Sequence, residues 1–447
     1  MNIRGRLSYV GSVTTGGEWR RYLREIRSSS PDELQAEYTE ALLRHVTAKV
    51  PYYRELNPDA RSLEELPLLT RRLLRERFAD LQSRDAAKRS CSRTCTGGST
   101  GEPVWVVHDR AFRRWIYATD MYYLAELMGI PWREYLSHPR VAVWHQRPAG
   151  RSRLSVRGLV ARVLGQVSFL EPYAGMGDDT LLFYLQEINR VRPLVIWGFS
   201  SYLYELARLA RRRNVRVHSP RAIIASVQML YPPMRELIQE VFGCRVYDCY
   251  GAAEVGRVAG ECRCGNLHLF SFACHAEVLD PQGQPTPPGE EGRIIVTPLH
   301  NLAMPLLRYE IGDMALRPTA ECSCGSALPL LGRIRGRVTE HFVAPDGRVI
   351  YGGYFIAMFY DHPWIAEFQV LQEDVDRVTV FYRAMPGEVA RPGCIADLTR
   401  VIGQAMGESC RVRWEEVEKI PRTPIGKHLY IRSLVWEERE RNAGTQV

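Results

Sequence analysis

Leu34, Tyr38, Leu42 and Val46 recur at helical spacing behind Ser30-Pro31-Asp32-Glu33, a capping box with proline at the first helical position. The same apolar periodicity predicts helices over 111–128, 179–191, 202–213 and 232–242. Between them lie short β-rich runs: Val141-Ala142-Val143-Trp144, Leu194-Val195-Ile196-Trp197, Ala222-Ile223-Ile224-Ala225 and Arg245-Val246-Tyr247. Helices alternating with buried apolar strands predict an α/β sheet with crossover connections. From about Asn266 the texture changes to strand and turn, with Leu267-His268-Leu269-Phe270, 276–279 and 293–296 separated by Asp280-Pro281-Gln282-Gly283 and Pro287-Pro288-Gly289. The last hundred or so residues read as a separate α+β unit that includes 368–371 and 378–381, with a fraying tail over 436–447.

Composition narrows the class. The chain has 447 residues, 45% hydrophobic and 25% charged, which excludes a disordered tail, a collagen-like rod and a coiled coil. At roughly 100–200 residues per domain, two or three domains are expected. Lys and Arg number 59 against 51 Asp and Glu, a net +8 that suits an anionic small ligand as well as nucleic acid. The basic cluster Arg208, Arg211, Arg212, Arg213 and Arg216 closes a predicted helix, complements its dipole and lacks aromatic stacking partners. It reads as a solvated face, so neither nucleic acid nor membrane is an expected partner. No run approaches the roughly 18 apolar residues of a membrane span, and the start lacks a secretion signal, so a reducing cytoplasm is expected. Eleven cysteines in that setting are read first as metal ligands rather than disulfides.

Two Cys-x-Cys-Gly knuckles stand out: Cys262, Cys264 and nearby His268, and Cys322 with Cys324. A glycine after the second cysteine lets backbone N–H groups turn toward thiolate sulfur, and four soft ligands from two turns make a closed tetrahedral zinc site. Five candidates compete for four places, with Cys264 or His268 spare. The spacing of a thioredoxin-like redox pair is absent.

Thr94-Cys95-Thr96-Gly97-Gly98-Ser99-Thr100-Gly101-Glu102-Pro103 is rich in glycine and hydroxyls, the composition that brings backbone N–H groups close to phosphate oxygens. No Gly-Lys-Ser/Thr follows, so it is not a Walker loop, and the same composition also makes a flexible surface loop. Further on come Tyr250-Gly251-Ala252-Ala253-Glu254, Arg308-Tyr309-Glu310-Ile311-Gly312-Asp313, Gly336-Arg337 and Pro421-Arg422-Thr423-Pro424-Ile425-Gly426-Lys427. In order and approximate spacing this series resembles the adenylate-forming (ANL) ligase superfamily, over nearly the whole chain. Within it the chain is similar to the phenylacetate–CoA ligase-like, capsule-biosynthesis-associated branch, through Val50-Pro51-Tyr52-Tyr53-Arg54, the cysteine pairs and Glu367-Phe368-Gln369-Val370-Leu371-Gln372.

The resemblance implies a large N-terminal adenylation domain, residues 1–335, with mixed sheets and helices, and a small mobile α+β C-terminal domain, residues 336–447. It implies ATP-dependent activation of a carboxylic acid, aryl or arylacetic, to an acyl-adenylate with release of pyrophosphate. The acyl group then passes to coenzyme A, or alternatively to an amine; a non-catalytic nucleotide-binding relative is the rival of another class. Carried onto this sequence, Thr96, Gly97, Gly98, Ser99, Thr100 and Gly101 would hold the β- and γ-phosphates. Tyr250 and Gly251 would line the adenine and acyl side, Glu254 would help hold Mg2+, Asp313 would accept from both ribose hydroxyls, and Arg337 would lie at the junction between domains. Lys427 would be the catalytic residue, an ammonium delivered by the mobile domain to the charge developing on the α-phosphate. A structural zinc with mixed Cys/His ligation is likewise implied, which favours His268 over Cys264.

Trp144, His145, Phe199 and Ser226 are the acyl-pocket candidates, each at or just past the end of a predicted strand, where such sheets open their ligand crevice. Core packing is the competing reading for the aromatics, and a core hydrogen bond for His145. Three departures from the family pattern stand out: Glu102 where lysine is common, Glu310 where arginine is common, and no paired aspartates after Gly336-Arg337. The identity of the acid and the oligomeric state, a homodimer included, are open at this level.

Overall fold

The computed structural model describes residues 18–96, 104–143, 168–170, 178–337, 341–351, 355, 358–359, 362, 364–385, 387–389, 392–407, 409–421 and 429–443. The capping box is formed: the Glu33 N–H donates to Ser30 Oγ at 3.1 Å and the Ser30 N–H to Glu33 Oε2 at 3.3 Å, opening helix Pro31–Lys49. The predicted central helices appear as Arg110–Tyr122, Asp178–Val191, Ser200–Arg212 and Pro232–Phe242. The first of these continues through a π turn over Tyr123–Leu127.

The principal sheet has seven strands in the spatial order Ser168–Leu170, Arg140–Val143, Val195–Phe199, Ala222–Ser226, Arg245–Ala252, Gly256–Glu261, Leu267–Leu269. Its first five strands are parallel, helices Asp178–Val191, Ser200–Arg212 and Pro232–Phe242 lie in the described connections between them, and the last two strands turn antiparallel. Ala222–Ser226 is buried at every position, as a parallel strand covered on both faces must be. A four-stranded antiparallel sheet follows: Cys274–Leu279, Glu291–Pro298, Tyr309–Leu316 and Arg333–Arg337.

From 341 onward the described strands pair only with one another. His341–Val343 pairs with Val349–Tyr351, and Ile365–Asp374 and Arg377–Ala384 form an antiparallel centre. That centre is flanked by Ile431–Ser433 and Arg411–Glu416 in parallel. Helix Pro392–Met406 buries Leu398, Ile402 and Met406. The tail differs from the sequence expectation. Helix Leu434–Ala443 forms because Ser433 Oγ accepts the Trp436 N–H at 3.1 Å, as an N-cap does. Arg432 also pairs with Glu437 at 2.8 Å. Among the described residues no helix is long and apolar enough to cross a membrane.

Candidate functional site

A cleft opens where the carboxyl ends of the parallel strands, the antiparallel sheet and the C-terminal segment converge. Strand Arg245–Ala252 supplies Asp248, Cys249, Tyr250, Gly251 and Ala252 to its wall, Tyr309–Leu316 supplies Asp313, and Tyr430 and Ile431 come from the C-terminal segment.

The motif residues meet here through strand register. The Tyr250 hydroxyl donates to Asp313 Oδ2 at 2.8 Å, 63 residues away in sequence. Asp313 in turn faces Arg337 across the ladder. Gly251 is required because a Cβ there would stand 2.2 Å from the Gly256 carbonyl oxygen. Gly312 sits at φ +85°, where side chains are strained, and turns the chain just before Asp313. Arg308, also at positive φ, is held by Glu277 at 2.8 Å and by the Leu66 carbonyl at 3.0 Å, so the motif arginine braces the loop.

Glu254 is 1% exposed. The Tyr309 hydroxyl lies 3.4 Å from its Oε1 and Arg71 Nη2 lies 3.7 Å away, while His108 Nε2 meets its backbone carbonyl at 3.3 Å. Burial works against the Arg71 charge, but Tyr309, Glu254 and Asp313 more than offset it, and its pKa is raised. Burial pushes His108 down to about 4, so it is neutral at physiological pH.

Two residues here escape sequence reasoning. Arg71 opens helix Arg71–Glu76, whose first turn holds no acid although a helix N-terminus favours one. That charge inversion is the signal that was available. Asp248 lines the cleft, and burial, reinforced by Glu261, pushes its carboxyl up to about 7. No sequence signal distinguishes it.

The other expectations are placed as follows. Thr96 ends strand Ser92–Thr96 and pairs with Val104, so the loop is bounded by two paired strands. Gly97, Gly98, Ser99, Thr100, Gly101, Trp144, His145 and Lys427 lie outside the described residues. Phe199 is buried and stacks on Tyr202 at 5.2 Å, and the buried Ser226 donates to the Cys249 carbonyl at 2.7 Å. Neither is among the residues described as lining the cleft.

The cysteine question resolves geometrically. The ligand atoms of Cys262, His268, Cys322 and Cys324 lie within 4.8 Å of one another. Cys262 and Cys322 sulfurs are 3.6 Å apart, and Cys324 Sγ is 3.2 Å from His268 Nε2, the spacing that ligands about 2.0–2.3 Å from a tetrahedral zinc require. His268 Nδ1 meets the Leu328 carbonyl at 2.8 Å, which leaves Nε2 as the ligating atom. N–H groups of Cys264 and Ser326 point at Cys262 and Cys324 sulfur. Burial raises the Cys322 thiol, but hydrogen bonds from the Cys324 backbone, His268 and Asn266 bring it down to about 6. Cys264 is exposed and outside the set.

One reading is corrected. Arg208 is not solvated: its side chain is 17% exposed, and Nη1 and Nη2 donate to the Ala366 and Ile365 carbonyls at 2.8 and 3.0 Å. Helical periodicity shows which face a residue occupies, not that a distant segment will cover it.

Residues 342–433 match the family described as the CapK C-terminal domain. Protein CapK of Staphylococcus aureus is 24% identical over 377 residues, 82% of this chain and 79% of that protein. A phenylacetate-coenzyme A ligase of Thermus thermophilus is 27% identical over 333 residues, 69% of this chain and 71% of that protein. Among solved structures, 2-hydroxyisobutyryl-CoA ligase in the postadenylation state superposes with a TM-score of 0.70 at 20% identity, covering 92% of this chain and 91% of that one. The same ligase in its thioesterification state gives 0.58 at 20% identity, covering 93% and 92%. The C-terminal segment is thus of the CapK type, and over most of its length the chain is similar to CapK and to phenylacetate-coenzyme A ligases, on a fold shared with a solved CoA ligase.

Proposed function

We propose that this chain uses ATP to convert a carboxylic acid, aryl or arylacetic, into its acyl-adenylate with release of pyrophosphate, and then passes the acyl group to coenzyme A. The observation that carries the reading is the Tyr250–Asp313 hydrogen bond in the wall of the cleft, with the motif carboxylate Glu254 buried and 3.7 Å from Arg71. A carboxylate held by a tyrosine hydroxyl is oriented to accept from the vicinal hydroxyls of a ribose. Glu254, with Arg71 beside it, is the carboxylate for Mg2+, which would supply positive charge to the triphosphate. Thr96 and Gly97 to Gly101 cradle the β- and γ-phosphates, and Tyr250 and Gly251 take the adenine side. The division falls at residues 335 and 336, with Arg337 opposite Asp313 at the junction.

Lys427 is the catalytic residue, its ammonium stabilising the charge that builds on the α-phosphate and the attacking carboxylate oxygen. The acyl part occupies the stretch of cleft walled by Met229, Tyr231 and Met234, which suits a flat apolar acid. Cys262, His268, Cys322 and Cys324 hold a structural zinc with no part in the chemistry.

Pyrophosphate exchange across a panel of carboxylic acids, led by phenylacetate, tests the first half. Product masses with coenzyme A against a panel of amines test the second. Lys427→Ala is expected to lower exchange by about two orders of magnitude or more. An unchanged rate defeats the assignment.

A further inference from the structure

The C-terminal segment meets the rest of the molecule through a buried apolar cluster that runs from Leu203 and Met234 to Phe368 and Ile431. Arg208 on helix Ser200–Arg212 adds a directed polar anchor beside it. Its guanidinium takes two successive main-chain carbonyls, Ile365 and Ala366, at the start of strand Ile365–Asp374. A regular strand turns successive carbonyls to opposite sides, so one fork should not reach both. The ladder slips register between Ile365 and Glu367, the irregularity that lets it. Met385 Sδ lies 3.4 Å from Nη2, and Glu205 at 3.2 Å steadies the guanidinium from its own helix. Arg211 and Arg213, on the same helix end, have side chains 57% and 62% exposed.

We infer that Arg208 is a docking latch, a positioning residue that grips the bulged start of strand Ile365–Asp374 and holds the C-terminal segment where Tyr430 walls the cleft. The grip is polar and made to carbonyls, so water can replace it when the segment leaves, and it gives a fixed direction to the apolar contact beside it. The structural comparison fits this use: one and the same ligase agrees with this chain better in one of its states than in another, so its parts rearrange between states. The inference rests on reading the cleft as the adenylation site, since the latch would favour the arrangement in which the acyl-adenylate is made. It would be released for the acceptor step.

The test uses the full chain with Arg208→Ala, Arg208→Lys and the control Arg211→Ala. Amide hydrogen exchange over 364–368 reads docking without any substrate. Pyrophosphate exchange with phenylacetate, or with whichever panel acid is active, reads the first half-reaction. Thioester formation from supplied acyl-adenylate and coenzyme A reads the second. Arg208→Ala is expected to speed amide exchange at 364–368 and slow pyrophosphate exchange about 10-fold or more, with the KM for ATP and the thioester half-reaction within about 2-fold. Arg208→Lys, which keeps charge but not the fork, falls between, and Arg211→Ala matches the unsubstituted chain.

Unchanged amide exchange in Arg208→Ala overturns the latch. Equal slowing of both half-reactions also overturns it, because that is a structural lesion. Should the alanine variant not fold, the lysine variant carries the same two criteria. If no acid on the panel supports pyrophosphate exchange, the adenylation reading fails, and amide exchange alone then decides the latch.

Discussion

Asp313 reaches Tyr250 from an irregular stretch of strand Tyr309–Leu316 where Gly312 adopts positive φ, and the bond joins two motifs that the sequence keeps 63 residues apart. Removing the hydroxyl tests its share. Tyr250→Phe, which removes a hydrogen bond to a charged group, is expected to weaken ATP binding about 10-fold or more by calorimetric titration. Asp313→Ala, which on the proposed function would remove charged acceptors for two ribose hydroxyls, should weaken it about 100-fold or more. Asp248 makes a prediction with a definite sign. Its folded carboxyl holds a proton up to about 7, whereas the unfolded one releases it from the ordinary value of 3.8. Between these values the folded chain binds more protons, so this contribution to stability is full below pH 4 and is lost as pH rises through 7. Denaturant midpoints across that window should show the slope, and Asp248→Asn should flatten it.

At the scale of elements, the Cys/His group brings the antiparallel edge of the principal sheet to the connection between two strands of the four-stranded sheet. Cys262 directly follows strand Gly256–Glu261 and His268 lies within Leu267–Leu269. Cys322 and Cys324 precede Arg333–Arg337. A metal there would fix the strands that carry the site motifs relative to each other. Elemental analysis of tag-free protein is expected to find about one zinc per chain, retained by Cys264→Ser and lost by Cys322→Ser with a lower melting temperature. Retention by Cys322→Ser would reassign the ligands. Gly251→Ala tests the strand itself: a Cβ pressed against the Gly256 carbonyl must push the pair of strands apart, and ATP binding should fail.

At the scale of the whole molecule, the cleft takes walls from the principal sheet, the antiparallel sheet and the C-terminal segment, so a nucleotide bound there would link all three. ATP at about 100 times its Kd should add about 2.7 kcal/mol of stability, seen as a raised melting temperature that Asp313→Ala largely abolishes. A melting temperature insensitive to ATP would place the nucleotide elsewhere. The chain expected as two or three domains does segregate its described sheets on either side of 338–340, yet one buried cluster runs from Leu203 and Met234 to Phe368 and Ile431.

Much of this was written locally. The capping box, the alternation of helices with short apolar strands, and the turn residues after Asn266 each depend on neighbours a few positions away, and those elements formed within a few residues of expectation. The motif series exposed the site in the same way, because glycines and paired polar residues at fixed spacing are local requirements of backbone geometry. Tertiary structure alone decided that Cys264 lies outside the Cys262–His268–Cys322–Cys324 group, that Phe199 belongs to the core, that Asp248 faces the cleft, and that Arg208 is covered rather than solvated. Each of these depends on what a distant segment places opposite a side chain, and burial and charge pairing are properties of the pair of surfaces.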